Sequence, residues 1–128
     1  MTEQEMLKRT KQFALRVLKL VSSLPRDPVG DAIARQLVRS GTSVGANYRS
    51  ACRGRSRAEF RAKLGTVEEE ADESAYWMEL ITEANLMPPS RVADLLDEAG
   101  QLTRIIAKSR LTLAKTTADR KSQIENRK

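Results

Sequence analysis

Histidine is absent from this chain of 128 residues. Its absence removes the side chain that titrates nearest neutral pH, and with it histidine acid–base chemistry, histidine metal sites and any Ser-His-Asp arrangement. The chain is therefore expected not to be an enzyme. The single cysteine, Cys52, has no partner for an internal disulfide or a cysteine metal cluster. Aromatic residues make up 4% of the chain, so the core must be mostly aliphatic. Four prolines and six glycines leave few interruptions. No apolar run approaches the ~20 residues of a membrane span, and the charged start MTEQEMLKRT lacks the apolar region of a signal peptide. The expected compartment is the cytoplasm. Glycine-rich phosphate loops, Walker motifs and zinc-finger spacings are missing. The acidic run EEEADE at 68–73 lacks the Glu-x-x-His pattern of carboxylate-bridged metal bundles. Neither a metal, a cofactor nor a small-molecule substrate is expected.

What remains is rich in Ala, Leu, Glu, Lys and Arg, a helix-forming set, at a length suited to one domain. Thr2 and Glu5 have capping-box spacing. Behind them Met6, Phe13, Val17, Leu20 and Leu24 form a helical stripe, widened by Leu7, Ala14, Leu18 and Val21 and stopped by Pro25. Asp27-Pro28 reads as an N-cap followed by proline at the first helical position. Ile33, Leu37, Gly41, Val44, Tyr48 and Cys52 continue at helical spacing, and Gly54 suits a left-handed helix end. Ser56 and Glu59 form a second capping box, ahead of a seam through Phe60, Leu64, Val67, Ala71, Ser74, Met78, Ile81 and Asn85. Pro88-Pro89 interrupts it. Ser90 is the expected N-cap of a last helix with a seam at Val92, Leu95, Ala99, Leu102, Ile106, Ser109 and Leu113. The expectation is all-α: an antiparallel up-down-up-down four-helix bundle over residues 1–117, with a frayed or disordered basic tail at 118–128.

Charge is blocked along the chain. Residues 35–63 carry eight basic groups against one acid, residues 64–100 ten acids against one base, and residues 101–128 eight bases against two acids. Blocks of this size point both to internal pairing and to an exposed basic surface.

The first basic block contains RSGTSVGANYRSACRGRSRAEF, Arg39 to Phe60. Gly41 and Gly45 share one helical face, each at a propensity cost of about 1 kcal/mol. Close approach of another helix offsets that cost; a local kink is the alternative. Asn47, near that face, fixes register or caps a bent segment, or else is exposed. Arg35, Arg39, Arg49 and Arg53 ladder along the helix, Arg55 and Arg57 occupy the turn, and Arg61 and Lys63 begin the next helix. Guanidinium groups grip phosphate bidentately and stay charged, so these residues are the candidate nucleic-acid contacts. Pairing with the acidic run at 68–73 is the competing use. Tyr76 and Trp77 are adjacent and diverge on a helix, which makes them candidates for a subunit interface, with bundle-edge packing as the plainer reading.

The run QLVRSGTSVGANYRSACRGRSRAEF followed by EADESAYWMELI resembles the bacterial family named for 23S rRNA intervening-sequence proteins, which includes the accessory variability determinants of diversity-generating retroelements. The motif residues are Gln36, Leu37, Arg39, Ser40, Ser43 and Asn47, then Arg53 to Ser56, then Glu59, Phe60 and Glu73. After the asparagine, Tyr48-Arg49-Ser50-Ala51 stands where the usual form resembles Ile-Ala-Glu-Gly, so Ser50 replaces a carboxylate. The resemblance implies a four-helix protomer in a ring-like homopentamer. For the retroelement relatives it also implies a basic surface for nucleic acid and a reverse transcriptase as partner. Two functions follow: a homo-oligomeric nucleic-acid-binding accessory protein, or a scaffold whose basic and acidic blocks pair between subunits.

Overall fold

A computed structural model describes the backbone of residues 1–126 and the side chains of residues 1–116. It contains α1 (Glu3–Val21), α2 (Pro28–Cys52), α3 (Arg57–Glu83) and α4 (Pro89–Asn126), with no strand among the described residues. The expected basic tail at 118–128 lies outside the residues whose side chains are described.

Local chemistry accounts for most of the helix ends. Thr2 and Glu5 complete a reciprocal capping box on α1. The Asp27 carboxylate accepts from the Gly30 N–H, and Pro28 opens α2 where a missing N–H is harmless. The Ser56 hydroxyl accepts from the Glu59 N–H at 3.1 Å. The Glu59 carboxylate reaches back one residue further than a capping box requires, to the Arg55 N–H at 3.2 Å.

Three expectations about helix ends are corrected. No described glycine has positive φ, and Gly54 is not left-handed. Instead α2 tightens at its end, with the Arg53 and Gly54 N–H groups donating to the carbonyls of Ser50 and Ala51. The left-handed residue is Asn85, φ 57°. It leaves the α3 seam and terminates the helix, as the Leu86 N–H returns to the Ile81 carbonyl and the Asn85 N–H to that of Thr82. Finally, α4 starts at Pro89, so Ser90 lies inside the first turn and is not its N-cap.

Consecutive helices pack side by side and α4 returns to α1, while the backbones of the diagonal pairs stay further apart, giving a four-cornered bundle around one shared core. Cross-helix pairs fix its direction. Gly41 meets Val17 and Gly45 meets Thr10, Ser40 meets Ser74, Glu68 meets Arg110, and Arg9 meets Glu98. Consecutive helices that pack along their length are joined by connections of only a few residues and must run antiparallel, and Arg9–Glu98 with Ser23–Arg91 shows the same opposed sense for α1 and α4. Phe13, Val17, Leu37, Val44, Leu64, Val67, Met78, Ile81, Leu102 and Ile106 form its dry, mainly aliphatic centre.

The glycines on α2 are explained by α1. A Cβ on Gly41 would stand 2.8 Å from both methyls of Val17, and one on Gly45 would stand 3.2 Å from the Thr10 carbonyl oxygen. The helices come too close for a side chain at Gly41, and the packing gained offsets the poor helix propensity.

Candidate nucleic-acid interface

Antiparallel packing brings the start of α1, the end of α2, the start of α3 and the second half of α4 to one end of the bundle. The basic block at 49–63 therefore lies beside the basic residues of α4 before position 116. Arg49, Arg53, Arg55, Arg57 and Arg61 are exposed there and Lys63 is half-buried. None of these six forms an ion pair among the described residues. Lys8 and Lys11 of α1 and Lys108 and Lys115 of α4 are exposed near the same end.

Arg35 and Arg39 stand apart. Arg35 is exposed near the start of α2 and forms no ion pair among the described residues, eighteen residues or about 27 Å of helix from Arg53. Arg39 is turned toward α3, where it pairs with Glu70 at 3.1 Å and with Glu73. Glu73 also accepts from the Trp77 indole N–H at 3.2 Å. Arg39, Glu73 and Trp77 thus tie α2 to the outer side of α3. Trp77 is half-buried, and Tyr76, 52% exposed, meets it edge-on with ring centroids 5.1 Å apart.

The small polar residues between the arginines bond to their own helix. Thr42 donates to Val38 at 2.6 Å, Ser43 to Arg39 at 2.6 Å, and half-buried Asn47 to Ser43 at 2.8 Å. Ser40 is fully buried and lies 2.9 Å from the Ser74 hydroxyl. These side chains satisfy the backbone and the α2–α3 contact rather than offering donors to a ligand. Phe60 packs partly against the core.

Between α1 and α2 runs a groove of about 690 Å³. Lys8 and Lys11 line one rim and Arg49 and Arg53 the other, while Leu7, Ala14, Gly45 and Cys52 contribute to the lining. Glu3 adds a lone carboxylate. Burial and the nearby Glu3 carboxylate push the Cys52 thiol above its ordinary pKa. Burial likewise raises the Tyr48 phenol beside it. Neither group is poised as a nucleophile at neutral pH. Sequence reading missed Lys8 and Lys11, because only the packing of α1 on α2 brings them opposite Arg49 and Arg53. Among the described residues no group of three His, Cys, Asp or Glu could hold a metal ion, and no helix is long and apolar enough to cross a membrane.

Comparison with known proteins agrees with this architecture. The profile of the 23S rRNA-intervening sequence protein family matches residues 2–108. The chain belongs to that family. A solved structure similar to it is a protein of unknown function from the S23 ribosomal protein family of Bacteroides thetaiotaomicron. That structure shares 27% identity at a TM-score of 0.79, over 86% of this chain and 98% of the other. No curated protein matches the sequence. The all-helical, four-helix architecture agrees with that membership.

Proposed function

We propose that this family member is a non-enzymatic cytoplasmic accessory protein that works as a ring-like homo-oligomer and holds the phosphate backbone of nucleic acid at the basic end of its bundle. The observation that carries this reading is the group of cations at Arg49, Arg53, Arg55, Arg57, Arg61 and Lys63, joined by Lys8, Lys11, Lys108 and Lys115, none of which forms an ion pair among the described residues. Unpaired guanidinium and ammonium groups release condensed counterions when they meet phosphates, and that release drives affinity. The resemblance to retroelement accessory proteins supports five subunits and a reverse transcriptase as partner.

The contacts favour backbone over bases. Tyr48 is buried and Phe60 is partly packed against the core. The hydroxyls of Ser40, Thr42 and Ser43 are already bonded. Binding should therefore be indifferent to sequence, with a dissociation constant on the order of 10⁻⁴–10⁻⁶ M at physiological salt. Fluorescence anisotropy with a labelled RNA strand and a DNA duplex, titrated across salt concentration, tests the proposal. A steep loss of affinity with salt is expected. An affinity that is absent, or that ignores salt, removes it.

A second reading, a protein scaffold, draws on a different observation. Glu69, Asp72, Glu79 and Glu83 are exposed on α3 and make no ion pair among the described residues. An assembly that dissociates in salt while ignoring nucleic acid would favour it.

A further inference from the structure

We infer that the subunits join head to tail, the Tyr76 face of α3 on one copy seating in the α1–α2 groove of the next. The inference rests on the homo-oligomer proposed above and assigns its contact surfaces.

Both halves of the contact are present on each copy. On α3, Glu69, Asp72, Tyr76, Glu79 and Glu83 recur at steps of three and four, which places them on one helical face. All five are exposed, and Tyr76 stands at the centre of the stripe with 52% of its surface open to solvent. The neighbouring carboxylates Glu68, Glu70 and Glu73 are already engaged by Arg110 and Arg39. The four flanking Tyr76 are not. Opposite in sign is the groove, where Lys8, Lys11, Arg49 and Arg53 are likewise without carboxylate partners among the described residues.

Shape distinguishes the occupants. The groove contains Leu7, Ala14, Gly45, Ala46 and Cys52 and no aromatic residue. Nucleic-acid bases find no stacking platform there, and a phosphate backbone gains nothing from an apolar lining. A helix carrying one aromatic ring between carboxylates uses both parts. The ring fills space above Gly45 and Ala46, and the acids meet cations on either rim. The lengths agree: Glu69 to Glu83 spans about 21 Å of helix, and Thr42 to Arg53 about 17 Å. An amphipathic contact with an aromatic anchor and a charged rim is the usual anatomy of a specific interface.

The two patches are different surfaces, so the contact is heterologous, and repeating it makes a ring where the rotation closes. The groove is then occupied by protein. Arg55, Arg57, Arg61 and Lys63 remain at the end of the bundle for phosphate.

Charge reversal tests the assignment on the full chain, with mass measured by sedimentation velocity and helicity by circular dichroism. Arg49→Glu with Arg53→Glu, and separately Asp72→Lys with Glu79→Lys, should each reduce the assembly to protomers. One chain carrying all four substitutions should regain the wild-type mass, because its groove and its α3 face are again opposite in sign. Tyr76→Ala, at a half-exposed site, should weaken assembly at least tenfold with helicity unchanged. A wild-type chain that is a protomer at about 50 mM salt, pair variants that keep full mass, or a fourfold variant that stays dissociated would each overturn the inference. Arg55→Ala with Arg57→Ala should lower RNA affinity at unchanged mass. Loss of RNA binding in the wild type with the ring intact would defeat only the nucleic-acid reading.

Discussion

Ser40 of α2 and Ser74 of α3 place their hydroxyl oxygens 2.9 Å apart in a fully buried interface, where both side chains are closed to solvent. Ser74 also lies 2.8 Å from the Glu70 carbonyl, whereas the alternative acceptor for Ser40, the Leu37 carbonyl, is 3.4 Å away. Ser40 therefore depends on Ser74, while Ser74 keeps the Glu70 carbonyl as an acceptor of its own. Ser74→Ala should cost about 1–3 kcal/mol, the penalty of leaving a buried polar group poorly satisfied. Ser40→Ala with Ser74→Ala should cost less than the two single changes together. Urea denaturation through a double-mutant cycle measures the coupling.

Gly41 should resist the substitution that helix propensity recommends. Alanine gains about 1 kcal/mol in an average helix interior. Here its Cβ would meet Val17 at 2.8 Å. The valine is β-branched and buried, with little freedom to turn aside. Gly41→Ala should destabilise the protein by about 1–3 kcal/mol through overpacking. Val17→Ala, added to it, should restore part of that loss relative to the sum of the single changes. Thermal denaturation of the three variants checks the sign.

Arginines that share a sequence block should separate by role. Arg39 is tied to Glu70 and Glu73, while Arg57 has no carboxylate partner among the described residues. Arg57→Ala should leave stability nearly unchanged and reduce the salt slope of RNA binding by about one unit. Arg39→Ala should leave the salt slope alone and lower stability by up to about 1 kcal/mol, since the guanidinium is partly exposed. Anisotropy titration and urea denaturation on the same two variants make the comparison.

Alkaline pH should weaken the fold through Tyr48 and Cys52. Burial raises both groups above their ordinary values, so the folded state holds these protons more tightly than the unfolded chain does. Their contribution is complete below the unfolded values, about 8.5 for cysteine and about 10 for tyrosine. It is lost as the pH rises above them, when the unfolded chain ionises first. Tyr48→Phe with Cys52→Ala should flatten the stability profile between about pH 9 and 11. Urea midpoints measured across that range provide the test.

The contrast between Gly41 and Gly54 shows which features were legible in the sequence. The caps at Thr2, Asp27 and Ser56 depend on residues within one turn, and each was readable. The seams were readable too, because helix period and burial coincide from Ile33 to Tyr48 and from Leu64 to Ile81. A close approach at Gly41 could be foreseen from the cost of glycine, but its partner Val17 required the fold. Gly54 misled because α2 ends by tightening its last turn, which needs no left-handed residue, whereas Asn85 supplies that conformation after α3. The basic block marked the candidate interface in the sequence. Its division was not visible there: Arg39 meets its acids across helices, and Lys8 and Lys11 join Arg49 and Arg53 only through the α1–α2 packing.

The antiparallel connection of unevenly charged helices gives the bundle a permanent electrical polarity along its length. The cations of 49–63 and 101–115 share one end, and the carboxylates of Glu79, Glu83, Asp94 and Asp97 gather toward the other. In the field of a phosphate chain such a body experiences torque before contact and turns its positive pole forward. Productive encounters then arise from more starting orientations than collision alone would allow. If nucleic acid binds as proposed, added electrolyte should slow arrival as well as hasten departure.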